Sequence, residues 1–257
     1  MQFVKTHSKD RIFEIILNRP DKRNSLNSEF VNELISAFTA ADDDENTRAV
    51  ILKANGKVFS AGADLGYLQQ LQKNTYEENL EDSSQLMELF KKIYFHKKLI
   101  IAQVEGHAIA GGCGLATVCD FVFAVPEAKF GYTEVKIGFI PAIVMFFLLR
   151  KIGEAKAREL LLTGKLIEAH QAKEFGIINE IVMPENIEKH TREFAIKLAE
   201  ETSPQSVALT RRMIAEIQSL PENEALLYAA RQNATARSTE DCKKGIGAFL
   251  DKKDIKW

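Results

Sequence analysis

The sequence predicts an α/β protein whose last third is helical. Strand-like and helix-like stretches alternate through roughly the first 150 residues, and from about residue 153 helical periodicity continues with no strand pattern between. The chain has 257 residues and 46% hydrophobic content, enough to bury one large core. No low-complexity segment and no long linker divides it.

The elements follow in order. "RIFEIILN" (Arg11 to Asn18) reads as a β-strand. "SLNSEFVNELISAFTAADDD" reads as a helix, with Ser28 as its N-cap and Phe30, Leu34, Ala37, Phe38 and Ala41 recurring on one face. "RAVILKANG" is a continuous apolar run, the pattern of a strand buried on both faces. "YEENLEDSSQLMELFKKIYFH" is helical, with Leu80, Leu86, Leu89, Phe90 and Ile93 inward. "KLIIAQVEGHAIA" reads as a strand, "GCGLATVCD" as the start of a short helix and "FVFAVPEAKFGY" as a strand again. Helical patterns then occupy "EAKARELLLTG", "EAHQAKEFG" and "ENIEKHTREFAIKLAEETS". Two more helical stretches close the chain, broken at Pro204 and Pro221.

Composition narrows the function classes. With 36 acidic against 34 basic residues the net charge is −2, and no more than two basic residues stand in a row, so no field invites a polyanion. Nucleic acid and membrane are not expected as partners. "IGFIPAIVMFFLL" (Ile137 to Leu149) is too short to span a bilayer, and "MQFVKTHSKDR" carries charge where a signal peptide is apolar. Cys113, Cys119 and Cys242 cannot all pair, which points to structural thiols and a cytoplasmic location. His7, His96, His107, His170 and His190 are scattered and read as surface or loop residues, so no metal site is expected.

Two strand ends carry the chemistry. "FSAGADL" (Phe59 to Leu65) and "IAGGCG" (Ile109 to Gly114) strip side chains where a backbone must come close to something. Two N–H groups freed in such turns can converge on one oxygen and hold charge that develops on a carbonyl. Either turn alone is better explained by tight helix–strand packing.

Together with "LNRPDKRNSLN", "VFSAGADL", "VEGHAIAGGCGLATVCDFVFA", "AKFGYTEVKIGFIP", "LLLTGKLIEAHQAKEFGIINEIV" and "GIGAFLDKK", these turns resemble the crotonase, or enoyl-CoA hydratase/isomerase, family. The resemblance runs through nearly the whole chain. It implies a spiral of ββα units over residues 1–195 holding the CoA and acyl site, and a helical oligomerisation region over 196–257. It also implies an acyl-CoA thioester substrate and a homotrimer or dimer of trimers. Coenzyme A would enter as part of the substrate, with no separate cofactor.

Carried over residue by residue, the resemblance places the oxyanion hole at the N–H groups of Ala63 and Gly111. Ala61, Asp64 and Leu65 match the turn around the CoA adenine, Lys22 and Arg23 lie where basic groups approach CoA phosphates, and Phe249 and Lys252 match a C-terminal pair that closes on CoA. The family's hydratases usually use two glutamates. One matches Glu134; the other falls on Gly114, which has no side chain. Val135, Ile137, Phe139 and Ile140 beside Glu134 lead us to expect an apolar setting and a raised pKa. Relatives that dehalogenate aromatic thioesters use an aspartate eight residues after that glutamate, and Ala142 stands there.

Several blocks, among them "SAGADLGYLQQL" and "TEVKIGFIPAIV", resemble most the bacterial methylglutaconyl-CoA hydratase branch. The expected function is hydration of a branched enoyl-CoA, 3-methylglutaconyl-CoA, in leucine breakdown. A distal carboxylate of that substrate is expected in the space left beside Gly114, where Gly114→Glu would replace it. The alternatives are a double-bond isomerase working with the single glutamate, and a non-catalytic or RNA-binding member. "YLQQLQKNTYEENLED" is expected to form a lid over the acyl pocket.

Overall fold

The computed structural model describes all 257 residues. Its strands are β1 (Val4–Lys9), β2 (Ile12–Leu17), β3 (Ala49–Ala54), β4 (Val58–Ser60), β5 (Leu99–Val104), β6 (His107–Ile109), β7 (Phe121–Ala124), β8 (Lys129–Gly131), β9 (Ile167–Glu168) and β10 (Glu180–Ile181). Its helices are α1 (Ser28–Asp43), α2 (Leu65–Leu71), α3 (Tyr76–Tyr94), α4 (Gly111–Thr117), α5 (Ala142–Thr163), α6 (Ala169–Phe175), α7 (Ile187–Glu201), α8 (Pro204–Ile217), α9 (Glu222–Ser238) and α10 (Glu240–Leu250).

Two sheets form. The larger runs β1-β2-β3-β5-β7-β10, antiparallel only at β1-β2; the smaller runs β4-β6-β8-β9, antiparallel only at β8-β9. Successive coils of the chain each lay one strand in the large sheet and the next in the small one: β3 then β4, β5 then β6, β7 then β8. A helix follows each pair, which is the expected ββα spiral. "KLIIAQVEGHAIA" and "FVFAVPEAKFGY" are therefore two strands apiece rather than one, because the chain turns at Glu105–Gly106 and again after Val125 to change sheets.

Side-chain alternation explains why β3 is apolar throughout. Val50 and Leu52 face the main core with Phe30, Leu34 and Phe38 of α1, while Ala49 and Ile51 face a second core closed by Ala195 of α7. The apolar face read for α1 is fully buried. Its cap is Asn27, whose Oδ1 accepts the Phe30 N–H at 2.9 Å; Ser28 is the first helical residue and donates to Gln85 instead. In α3, Leu89, Phe90 and Ile93 are buried and Leu86 partly so, but Leu80 is exposed, because the N-terminal half of the helix stands off the core.

Helix α5 begins at Ala142, eleven residues before Gly153, where helical periodicity was expected to take over. It contains a break at Gly153 (φ 75°). Val144, Phe147 and Leu148 of the apolar run are buried in its first half. The position 195/196 falls inside α7, and α8 begins at Pro204. Helices α9 and α10 bury no side chain, and Leu226, Leu227, Ile246, Phe249 and Leu250 are exposed on them. His96 is not a surface histidine: its Nδ1 accepts the Lys98 N–H at 3.1 Å and its Nε2 lies 3.3 Å from the Phe38 carbonyl. Desolvation pushes its pKa down to about 4. No helix is long and apolar enough to cross a membrane.

Candidate active site

The small sheet assembles the site. β4, β6 and β8 are parallel neighbours, so their carboxyl ends deliver Ala61–Asp64, Ala110–Gly111 and Tyr132–Glu134 to one edge. The first two turns touch. A Cβ on Gly62 (φ 83°) would stand 2.7 Å from the Ala110 Cβ and 3.2 Å from the Gly111 nitrogen, so only glycine permits this approach.

Each turn is held by backbone bonds on either side of the amide that matters. Leu26 N–H donates to Gly62 O at 2.7 Å and Asp64 N–H to Leu26 O at 2.8 Å, which leaves the Ala63 N–H between them without an acceptor. Ala110 N–H donates to Gly131 O at 2.7 Å, and Gly111 opens α4, so its N–H has no partner within the helix. Ala110 adopts φ 53° and ψ −128°, a conformation that costs an alanine about 1–3 kcal/mol. That strain sets the direction of the following amide. Two free N–H groups on turns in contact can receive one developing oxyanion.

Glu134 is 8% exposed at the start of a short 3-10 turn, Glu134–Ile137. Its Oε2 is buried without a hydrogen-bond partner. Desolvation raises its pKa, opposed only by a hydrogen bond from its own backbone. No cation counters the burial, so the carboxylate is poised to take a proton. Of the four neighbours expected to supply an apolar setting, Ile137, Phe139 and Ile140 are exposed and only Val135 is partly buried. At the end of β8 the Glu134 charge is felt by the buried Cys113 and Tyr132. Burial pushes the Cys113 and Cys119 thiols up to about 11 and about 12, and all three cysteines are free.

The remaining expected residues divide. Arg23 O accepts the Ala61 N–H at 3.0 Å, so the segment bearing Lys22 and Arg23 lies along the first turn, with both side chains exposed and unpaired. The Asp64 carboxylate caps α2, accepting from Gly66 (2.9 Å) and Tyr67 (3.3 Å), and meets Arg19 at 2.7 Å. Burial alone would raise its pKa, but Arg19 and the two amides outweigh it and hold the group below the usual carboxylate range. Leu65 is exposed. Phe249 is 83% exposed and Lys252 is exposed; α10 packs on α8 and α9, and no bond joins either residue to the site. The expected lid is helix α2 and the start of α3, tied together by the Tyr67 hydroxyl donating to Asp82.

Gly114 leaves no vacant space. A Cβ there would meet Val144 Cγ1 at 2.2 Å, Val144 Cβ at 2.9 Å and Phe90 Cε1 at 3.1 Å. The missing side chain lets α4 pack on α5 and α3, so a substrate carboxylate cannot occupy that position in this arrangement. Asn24 and Ser60 went unread in the sequence. Asn24 Nδ2 donates to Asn55 O and Val58 O, both at 2.9 Å, and Ser60 Oγ donates to Asn24 O at 2.8 Å while accepting from Gly62. The block "LNRPDKRNSLN" contains Asn24, whose Oδ1 accepts the Arg19 N–H within that block, but the acceptors of its Nδ2 lie more than 30 residues away.

Comparison with known proteins adds the following. Residues 7–257 match the family described as enoyl-CoA hydratase/isomerase. A Thermus thermophilus protein named "Putative enoyl-CoA hydratase" is 40% identical over 245 residues, 95% of this chain and 96% of that one. The crotonyl-CoA hydratase of Syntrophomonas wolfei is 32% identical over 246 residues, covering 95% and 93%. The crystal structure of an enoyl-CoA hydratase from Shewanella pealeana superposes with a TM-score of 0.93 at 29% identity, over 99% of this chain and 96% of that one.

Proposed function

This chain belongs to the enoyl-CoA hydratase/isomerase family, and from that premise we propose that it hydrates an enoyl-CoA with Glu134 as its single proton-transfer group. The observation that carries the reading is the buried Glu134 carboxylate, its Oε2 without a partner, in the 3-10 turn that follows β8, the strand beside β6, where one of the two turns with free N–H groups begins. The thioester oxygen would accept from Ala63 and Gly111. Glu134 would draw a proton from water as the hydroxyl bonds to the β carbon, and the displaced electron pair would move to the thioester oxygen as an enolate. The proton then passes from Glu134 to the α carbon as the double bond re-forms at oxygen. Water is added whole, and Glu134 ends ionised as it began.

Lys22 and Arg23, free of acid partners beside the first turn, would meet the CoA phosphates, and Ala61 and Leu65 its adenine. The exposed apolar residues on α9 and α10 support a trimer or a dimer of trimers, in which Phe249 and Lys252 would close on CoA across a subunit boundary. For the acyl group we propose a branched 3-methylglutaconyl chain, supported by the sequence blocks quoted above. With Val144 filling the space by Gly114, its distal carboxylate would have to lie elsewhere.

A second reading is double-bond isomerisation, favoured by the same Val144 contact, since a proton shuttle from one carbon to another needs one carboxylate and no second group to orient water. A turnover screen of crotonyl-CoA, 3-methylglutaconyl-CoA and a 3-enoyl-CoA, with water uptake followed by mass, decides between them. Isomerisation without water uptake and no hydration of either 2-enoyl compound would overturn the hydratase reading.

A further inference from the structure

Tyr132 stands two residues before Glu134, is fully buried in the main core, and brings its hydroxyl within 2.9 Å of Oγ1 of Thr117, the last residue of α4. Counting protons fixes the direction of this bond. Thr117 has one hydroxyl proton and donates it to Cys113 O at 2.8 Å, so Tyr132 donates and Thr117 accepts. The Cys113 thiol lies against the same tyrosine hydroxyl.

This bond joins two parts of the site. Gly111 opens α4 and Thr117 closes it, about 9 Å away along the axis. At its start α4 is attached to β8 through the Ala110 N–H, which donates to Gly131 O at 2.7 Å and continues the β6–β8 pairing. At its end it is attached through Thr117 to Tyr132, the residue after Gly131. Two attachments at opposite ends fix the direction of a short helix as well as its place, whereas one leaves a pivot. Lys151 Nζ also holds the Thr117 carbonyl, at 2.9 Å, but it does so from α5 and not from the strand that leads to Glu134.

The Glu134 carboxylate has no anchor of this kind. Its Oε2 is without a partner, so its place relative to the Gly111 N–H depends on the backbone from Tyr132 to Glu134 and on the setting of α4. Stability alone does not require the polar pair. Phenylalanine at 132 and valine at 117 would fill the same space, and exchanging both partners of a buried hydrogen bond for apolar groups of the same shape is close to neutral. A satisfied polar pair in an apolar core instead selects one packing arrangement among several.

We propose that Tyr132 and Thr117 are positioning residues for proton transfer: their hydrogen bond sets α4 against the end of β8 so that the Glu134 carboxylate and the Gly111 N–H meet the same thioester. The inference rests on the roles given above to Glu134 and Gly111. A displacement of about 1 Å between reacting groups can lower a rate about a hundredfold, so the smaller shift allowed by losing one of two attachments should cost about tenfold.

Steady-state kinetics and thermal melting of Tyr132→Phe, Thr117→Val, the double variant and Thr117→Ser test this, with Glu134→Gln as control, on whichever of crotonyl-CoA, 3-methylglutaconyl-CoA and a 3-enoyl-CoA the parent turns over. The double variant strands no buried polar group, so it should melt within about 3 °C of the parent while kcat falls about tenfold and KM changes less than about twofold. Each single variant breaks the same bond, so its loss of kcat should match that of the double variant and not multiply with the other. Thr117→Ser keeps the hydroxyl and should recover most of the rate lost in Thr117→Val. A double variant with parental kcat, a loss confined to KM, losses that multiply, a kcat loss seen only in variants that melt early, or Thr117→Ser as slow as Thr117→Val would overturn the proposal. If Glu134→Gln keeps its turnover, or the parent turns over none of the three substrates, the roles of Glu134 and Gly111 fall and the proposal with them. An inactive Glu134→Gln beside a fully active double variant overturns the positioning role alone.

Discussion

Placing a methyl group on Gly114 tests whether the position of the absent glutamate is open or filled. In Gly114→Ala the new Cβ stands 2.2 Å from Val144 Cγ1 and 3.1 Å from Phe90 Cε1. Val144 is β-branched within α5 and has one comfortable rotamer there, so it cannot swing aside without strain. Overpacking of this kind costs about 1–3 kcal/mol, and the gain from alanine over glycine in a helix returns up to about 1. A 2.2 Å approach to a side chain that cannot yield belongs to the upper part of that range, so the net loss is about 1–3 kcal/mol, a fall in Tm of roughly 2–12 °C for a chain of this size. Val144→Ala alone should also destabilise, by emptying a filled site. The double variant should be more stable than the two losses added, with a coupling of about 1 kcal/mol or more in urea titration. Only in the Val144→Ala background should Gly114→Glu give a folded protein whose second carboxylate can affect hydration of crotonyl-CoA. A Gly114→Ala protein as stable as the parent, or additive losses in the double variant, would show that the close packing of α4 on α5 does not depend on glycine.

Glu134→Gln keeps shape and removes the proton acceptor, so turnover should fall at least about a hundredfold while CoA affinity holds; in the parent, the acid limb of kcat/KM should lie above the ordinary glutamate range because burial raises this carboxyl. Ala110→Gly relieves the positive-φ strain and should leave stability equal or up to about 1 kcal/mol higher, read by urea midpoint, whereas Ala110→Val should be clearly destabilised. His96 is held neutral, with its folded pKa at about 4 against 6.5 when free, so the unfolded chain binds the extra proton first as pH falls; about 3 kcal/mol of stability present above pH 6.5 should drain away between 6.5 and 4, and His96→Gln should flatten that part of the stability curve. Deleting the chain from Gly247 onward should weaken binding of free CoA and loosen the oligomer, measured by calorimetry and sedimentation; unchanged affinity in an intact assembly would reduce Phe249 and Lys252 to packing.

Much of this protein was determined by local order along the chain. The apolar face of α1, the two-sided burial of β3 and the small-residue turns after β4 and β6 follow from periodicity and steric demand, because each concerns neighbours within a few residues. The family follows from blocks spread across the sequence, and with it Ala63, Gly111 and Glu134 as the residues to inspect. Other features depend on elements that meet only when folded. The sequence showed that residue 114 has no side chain, but only packing shows that Val144, thirty residues on, takes the space. Glu134 was expected to take its apolar setting from its own neighbours; Ile137, Phe139 and Ile140 stand in solvent and only Val135 is partly buried, while the buried Cys113 and Tyr132 lie within reach of its charge. His96, Asn24 and the bond from Tyr132 to Thr117 were unreadable for the same reason. Burial and hydrogen-bond satisfaction belong to pairs of groups, and a one-dimensional pattern records only one member of each pair.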